Sequence, residues 1–246
     1  MIAADTRIPL LALRGVTRSF GGVVAVRDLS LDINAGEFLS IIGPNGAGKS
    51  TVFNIISGFH RPDRGSVLLA GKNIVGFRPH TIAQLGVGRT FQIPQPFAEL
   101  TVLENAVVAA LVRGTHAEAR ARARRALEIT GLQDDAQRMP RALTVADLKR
   151  LEIARALATG PKLLLLDEVM AGLNPVEMAK IIEMIRSLRS EGIASVAGVE
   201  HVIAAVVQLS DRILVLDHGQ VIAEGDPQEV LASRAVIDVY LGHAPA

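Results

Sequence analysis

Residues 43–51 read Gly43-Pro44-Asn45-Gly46-Ala47-Gly48-Lys49-Ser50-Thr51, and no other stretch constrains the fold as tightly. The string fits G-x-x-x-x-G-K-[ST], a loop that cradles phosphate between a buried strand and a helix. Both flanks agree with that placement. Phe38-Leu39-Ser40-Ile41-Ile42 predicts a short buried strand. Thr51-Val52-Phe53-Asn54-Ile55-Ile56 predicts an apolar helix face, with Gly58 at its C-terminal cap. Glycines let consecutive backbone N–H groups turn toward phosphate oxygens, and the helix N-terminus favours anions. Lys49 supplies a point charge for the β/γ-phosphates, and the Ser50 hydroxyl is suited to Mg²⁺. Ordinary residue usage produces such a string in roughly one chain in a hundred of this length. Only 5 of the 246 residues are lysine, so chance is a poorer explanation still. The stretch marks a nucleotide site.

A second carboxylate-bearing stretch complements it. Leu163-Leu164-Leu165-Leu166 predicts a strand buried on both faces of a parallel sheet, ending in Asp167 and Glu168. Two acids at a buried strand end are costly unless a cation or proton donor meets them. Beside a phosphate loop, Asp167 is placed to hold Mg²⁺ through water, and Glu168 to face an attacking water.

The remaining elements are read in chain order. Residues 11–34 alternate as an antiparallel pair around Phe20-Gly21-Gly22. Phe20 is either core or a ring for stacking on a base. Ser66-Val67-Leu68-Leu69-Ala70-Gly71 is a strand, and so is Gly88-Arg89-Thr90-Phe91-Gln92, whose Gln92 alone reads as solvated loop. Residues 100–130 read as largely helical with a possible break at Gly114. Arg120, Arg122, Arg124 and Arg125 in that stretch read as a solvated face, because they spread around the helix without interleaved aromatics. No nucleic acid is expected of a chain with net charge +1. Thr144 caps the next helix, with Asp147 completing an approximate capping box. Asn174-Pro175-Val176-Glu177 starts another. His201, just past the strand expected at 193–199, reads alone as a loop residue. The chain has no cysteine, which excludes disulfides and thiolate metal sites. No uncharged run approaches the ~20 residues of a spanning helix, and a cytoplasmic protein that is not integral to a membrane is expected. With 49% hydrophobic residues, partners are expected to cover some apolar surface.

In this order, the pieces resemble the ATP-binding subunit of ABC transporters along the whole chain, most nearly the ATPase of branched-chain amino acid (LIV-type) importers. The resemblance rests on Phe20-Gly21-Gly22-Val23-Val24-Ala25-Val26, residues 43–51, Arg89-Thr90-Phe91-Gln92 and Leu100-Thr101-Val102-Leu103-Glu104-Asn105. It continues through Arg150-Leu151-Glu152-Ile153-Ala154-Arg155-Ala156-Leu157, residues 163–168, Ala171-Gly172-Leu173-Asn174-Pro175 and Glu200-His201. Gly225-Asp226-Pro227 and Tyr240-Leu241-Gly242 complete it. It implies an α/β fold with a P-loop NTPase core, an antiparallel β subdomain and a helical subdomain at about 95–160, all in a single domain over 1–246. It further implies ATP and Mg²⁺ as cofactors, with Phe20 stacking on adenine and Val26 walling the same pocket. Gln92 becomes the Mg²⁺ and water sensor, Glu168 the general base and His201 the γ-phosphate contact. The implied partners are membrane-spanning permease subunits and a second ATPase subunit meeting this one head to tail, at the inner face of the cell membrane.

The chain departs from the family where that second subunit would be engaged. The usual signature is Leu-Ser-Gly-Gly-Gln, often with Tyr at its third place in LIV-type subunits, but here it reads Leu143-Thr144-Val145-Ala146-Asp147. Ala146 is expected to intrude where glycine allows close approach, and Asp147 to bring negative charge toward phosphate. Milder departures are Val169, where proline commonly follows the glutamate, and Val202, where an acid commonly follows the histidine. Two functions fit: a transport ATPase working in a heterodimer, or a nucleotide-gated module with little turnover.

Overall fold

The computed structural model describes residues 8–189, 193, 195–199 and 202–241. In chain order its strands and helices are β1 (Leu11–Phe20), β2 (Val23–Ile33), β3 (Phe38–Ile42), α1 (Lys49–Ile56), β4 (Arg64–Leu69), β5 (Lys72–Asn73), α2 (Pro79–Leu85) and β6 (Val87–Arg89). Then come α3 (Val102–Ala110), α4 (His116–Thr130), α5 (Val145–Ala158), β7 (Leu163–Asp167) and α6 (Pro175–Ser187). The chain continues through β8 (Ser195–Val199), α7 (Ile203–Leu209), β9 (Arg212–Asp217), β10 (Gln220–Gly225), α8 (Pro227–Leu231) and α9 (Arg234–Leu241). One sheet is antiparallel in the order β2-β1-β4-β5; the other runs β10-β9-β3-β8-β7-β6. In the second, β9, β3, β8, β7 and β6 are parallel and β10 closes one edge antiparallel.

The four leucines of β7 explain how the layers are joined. Successive side chains of a strand point to opposite faces. Leu163 and Leu165 therefore pack with Val52 and Phe53 of α1 and with Leu11 and Leu13 of β1. Leu164 and Leu166 pack on the other face with Leu151 of α5 and Ile181 and Ile185 of α6. Asp167 follows in the same alternation as Leu163 and Leu165, so its side chain leaves the strand on the α1 face. Since α1 begins at Lys49, the strand period alone brings the acid toward the phosphate loop.

The expected hairpin at 20–23 forms with Phe20 paired to Val23. Gly21 and Gly22 lie at φ +52° and +87°, as a two-residue turn between twisted strands requires. The 100–130 stretch is two separate helices. The break falls at Gly114 (φ +71°), as expected, and each helix has its own capping box, Thr101 with Glu104 and Thr115 with Glu118. Arg122 does not lie on a solvated face: its guanidinium turns to the carbonyls of Ala110 and Arg113 at the end of α3. The strand expected at 88–92 stops at Arg89, because Thr90 turns its Oγ1 to accept the Asp167 N–H at 3.0 Å. No helix among the described residues is long and apolar enough to cross a membrane.

Candidate nucleotide site

Residues 43–51 connect the fully buried strand β3 to the start of α1, at the carboxyl end of a parallel strand where α/β sheets form ligand crevices. Two glycines are dictated by close backbone approach. A side chain on Gly43 (φ +149°) would meet the Leu216 carbonyl oxygen at 2.1 Å, and one on Gly48 (φ +104°) would meet that of Ala25 at 2.3 Å. Gly48 N-caps α1 without a capping side chain, so the first-turn amides face the cleft ready for an anion. A cavity of about 190 Å³ is lined there by residues 45–51 with Ala25 and Glu168.

Lys49 is buried, and its Nζ donates to the carbonyl oxygens of Gly43 (2.7 Å) and Pro44 (2.9 Å). Burial lowers its pKa, against the raising effect of Glu168 and Asp167 nearby. The hydroxyl-bearing Ser50 is exposed at the cleft. The Asp167 carboxyl is pushed above the usual range chiefly by burial, opposed by Arg89. Arg89 also donates to Asn54 Oδ1 and Ser57 Oγ, each at 2.8 Å. Glu168 sits at φ +49°, a backbone conformation that costs a non-glycine residue roughly 1–2 kcal/mol. Gln92 Nε2 donates to Glu168 Oε2 at 2.6 Å, so the residues singled out at the ends of β6 and β7 meet directly. At the other end of the chain, the Tyr240 phenol is pushed up chiefly by burial, with the Gly43 backbone opposing the rise.

Other expectations fare differently. Phe20 stands half exposed at the β1–β2 turn. There its ring meets His60 edge-on at 5.1 Å, and the Arg18 guanidinium lies 4.6 Å from its centroid. Val26 is fully buried within the apolar core and presents no surface as a pocket wall; its neighbour Ala25 lines the cleft instead. His201 lies outside the described residues.

The signature stretch needs a correction. Ala146 is 4% exposed, its methyl packed inward by the first turn of α5, so it does not intrude on an approaching phosphate. Asp147 does not project bare charge. Its N–H donates to Thr144 Oγ1 (3.2 Å), its Oδ2 accepts from the Thr144 hydroxyl (2.7 Å), and Arg150 lies 3.4 Å from its Oδ1. The exposed members are Thr144 and Val145, the latter at 62%.

Sequence reasoning missed Arg89 as the cation that meets Asp167, although the need for one was evident from two acids ending a buried strand. It also missed Lys149, which is buried in α5 and donates from Nζ to the Glu168 carbonyl at 3.1 Å. No sequence pattern marked that contact.

Known proteins share this arrangement. Residues 26–171 match the family model described as ABC transporter, and residues 220–246 match that described as Branched-chain amino acid ATP-binding cassette transporter. The high-affinity branched-chain amino acid transport ATP-binding protein LivG of Salmonella typhimurium is 40% identical, over 96% of this chain and 99% of its own. The ADP conformation of MJ1267, an ATP-binding cassette of an ABC transporter, superposes with TM-score 0.87 at 33% identity, covering 95% of this chain and 99% of that one. A dimeric post-hydrolysis state of the cassette MJ0796 bound to ADP and Pi gives TM-score 0.78 at 29% identity, over 88% and 98%. From the phosphate loop, the paired acids ending β7 and these full-length likenesses, it follows that the chain belongs to the ABC transporter family and carries its ATP-hydrolysing domain.

Proposed function

We propose that this chain is the ATP-hydrolysing subunit of an importer for branched-chain amino acids or related small solutes, a single domain over 1–246. The observation that carries this reading is the 40% identity to LivG along nearly the whole of both chains. The match of residues 220–246 to the branched-chain cassette model supports it independently.

In this reading the amides of residues 43–51 and Lys49 hold the triphosphate, and Phe20 stacks on the adenine. Mg²⁺ prefers one or two carboxylates and a hydroxyl together with substrate phosphates. Exposed Ser50 and Gln92 and buried Asp167 line one cavity and would supply such a donor set. Bound there, the ion would neutralise developing phosphate charge. Glu168, held by Gln92, takes the proton of the attacking water, and His201 contacts the γ-phosphate. Beside Gln92, the apolar side chains of Phe59, Phe91, Ile93 and Phe97 are about half or more exposed. Such a patch suits a protein partner, and we assign it to the membrane-spanning permease subunits. In this reading the chain sits peripherally on the inner face of the cell membrane, with a second ATPase subunit across the nucleotide.

The test is reconstitution with its permease and solute-binding partners in ATP-loaded proteoliposomes. ATP-dependent uptake of labelled leucine or valine is expected, abolished by Glu168→Gln in this chain. ATP hydrolysis without uptake of any branched-chain amino acid would overturn the substrate assignment.

A further inference from the structure

Helix α5 carries Lys149, Glu152 and Arg155 at intervals of three residues, which puts them along one face. Lys149 and Glu152 are both buried. Each reaches the backbone beside a residue of the hydrolysis site. Lys149 Nζ donates to the Glu168 carbonyl at 3.1 Å, an oxygen that also accepts the Ala171 N–H at 3.2 Å. Glu152 Oε1 accepts the N–H of Phe91, the residue before Gln92, at 3.3 Å. Arg155 braces this contact, donating to Glu152 Oε2 and to the Gln95 carbonyl, both at 2.9 Å. With the Gln92–Glu168 hydrogen bond of 2.6 Å, the contacts close a ring: α5, Lys149, Glu168, Gln92, Phe91, Glu152 and back to α5. The N-terminus of the same helix carries residues 144–147.

We propose that Lys149 and Glu152 are positioning residues through which α5 sets the Gln92–Glu168 contact, so that movement of α5 realigns this chain's own general base. This rests on the reading of Glu168 as that base. The geometry is suited to the role. Glu168 has an unfavourable positive φ, which persists only where surrounding contacts hold it, and Lys149 grips the carbonyl of that very residue. The Gln92 loop, exposed over residues 91–93, is anchored at the Phe91 amide by Glu152. A helix fastened to both members of a catalytic pair can bring them into line or pull them apart together. Misplacement of a reacting group by about 1 Å can cost roughly 10²-fold in rate.

The experiment uses the chain assembled with its transporter partners and Mg²⁺-ATP. Lys149→Met is expected to lower kcat by about tenfold or more, with KM and ATP affinity within about twofold. Lys149→Arg, which keeps a donor, is expected to restore most of the rate. Glu152→Leu should likewise lower kcat, with Glu152→Gln restoring it through an amide oxygen that still accepts the Phe91 N–H. Amide hydrogen exchange on the nucleotide-free chain supplies a readout independent of turnover: faster exchange at 168–171 in Lys149→Met, and at 90–95 in Glu152→Leu but not in Glu152→Gln. Unchanged kcat, equal losses in affinity and rate, failed rescue, or unchanged exchange would each overturn the proposal. A parent complex that hydrolyses no ATP would instead sink the function proposed above, while the exchange data still decide the positioning.

Discussion

Arg89 Nη2 lies 3.1 Å from Asp167 Oδ2, in an ion pair whose side chains are less than a tenth exposed. Burial drives the Asp167 carboxyl up and the Arg89 guanidinium down, each opposed by the other. Removing one partner of a buried pair leaves an uncompensated charge, at a cost of roughly 3–5 kcal/mol. Arg89→Gln is therefore expected to lower the melting temperature clearly at neutral pH. The pH dependence has a definite sign. A carboxyl whose folded pKa is raised favours the fold below its unfolded pKa and loses that contribution as pH rises through the folded value. Without Arg89 the Asp167 pKa rises further, so the stability gap between parent and variant should widen as pH rises from acid toward neutral, starting only above the parent's own raised Asp167 value. Thermal melts across that range check it. A gap independent of pH would mean that Asp167 is not the group left stranded.

Lys49→Ala is expected to abolish or greatly weaken ATP binding while the protein stays folded. Lys49 sits at the first position of α1 and reaches back to the Gly43 and Pro44 carbonyls, holding the loop as well as the charge that meets phosphate. Calorimetric titration of ATP into the folded variant is the check. An unchanged affinity would remove the phosphate loop from the site.

Glu168→Gln should bind Mg²⁺-ATP as the parent does and lose about 10² to 10⁴ in turnover, the usual contribution of a general base. The substitution is nearly isosteric, and its amide oxygen can still accept from Gln92. Turnover within about a factor of two of the parent would exclude Glu168 as the base.

What could be read from residues alone was whatever depends on short-range pattern. The phosphate loop, the buried leucine strand and the Asn174–Glu177 capping box are each built from residues within a few positions of one another, and each appears where its pattern places it. Contacts set by tertiary approach were not legible. Arg89 meets Asp167 across 78 residues and Lys149 meets Glu168 across 19, and nothing local records either meeting. The division of 100–130 into two helices was legible in Gly114, where the break falls, whereas the Thr115–Glu118 cap that starts the second helix was not read. Ala146 was misjudged for a geometric reason. A substitution in the signature was read as a change of surface, whereas the first turn of α5 points that methyl into the core and leaves Val145 outside.

The working assembly is expected to be a heterodimer with a second ATPase subunit whose own signature is intact. The structure changes the physical grounds for this expectation. Asp147 is tied to Thr144 and Arg150, so acidic repulsion of the opposite nucleotide is muted. Ala146 is buried and adds no bulk. The departure that stays on the surface is Val145, a β-branched side chain 62% exposed at the first turn of α5, where the general pattern has glycine and LIV-type subunits often have tyrosine. In a homodimer each ATP would face one Val145. In a heterodimer, Lys49, Asp167 and Glu168 of this chain would be closed by the partner's ordinary signature, giving one competent site. The partner's own phosphate loop would face residues 144–147 and turn over slowly. Hydrolysis should be measured for the purified chain alone, for the chain with its partner, and for the pair with the partner's signature disrupted. Activity is expected only in the second mixture. Val145→Gly in this chain should raise hydrolysis at the partner's site, visible when Glu168→Gln silences its own. Full activity from the chain alone would show that Thr144 and the α5 N-terminus suffice, and would end the case for an obligatory second subunit.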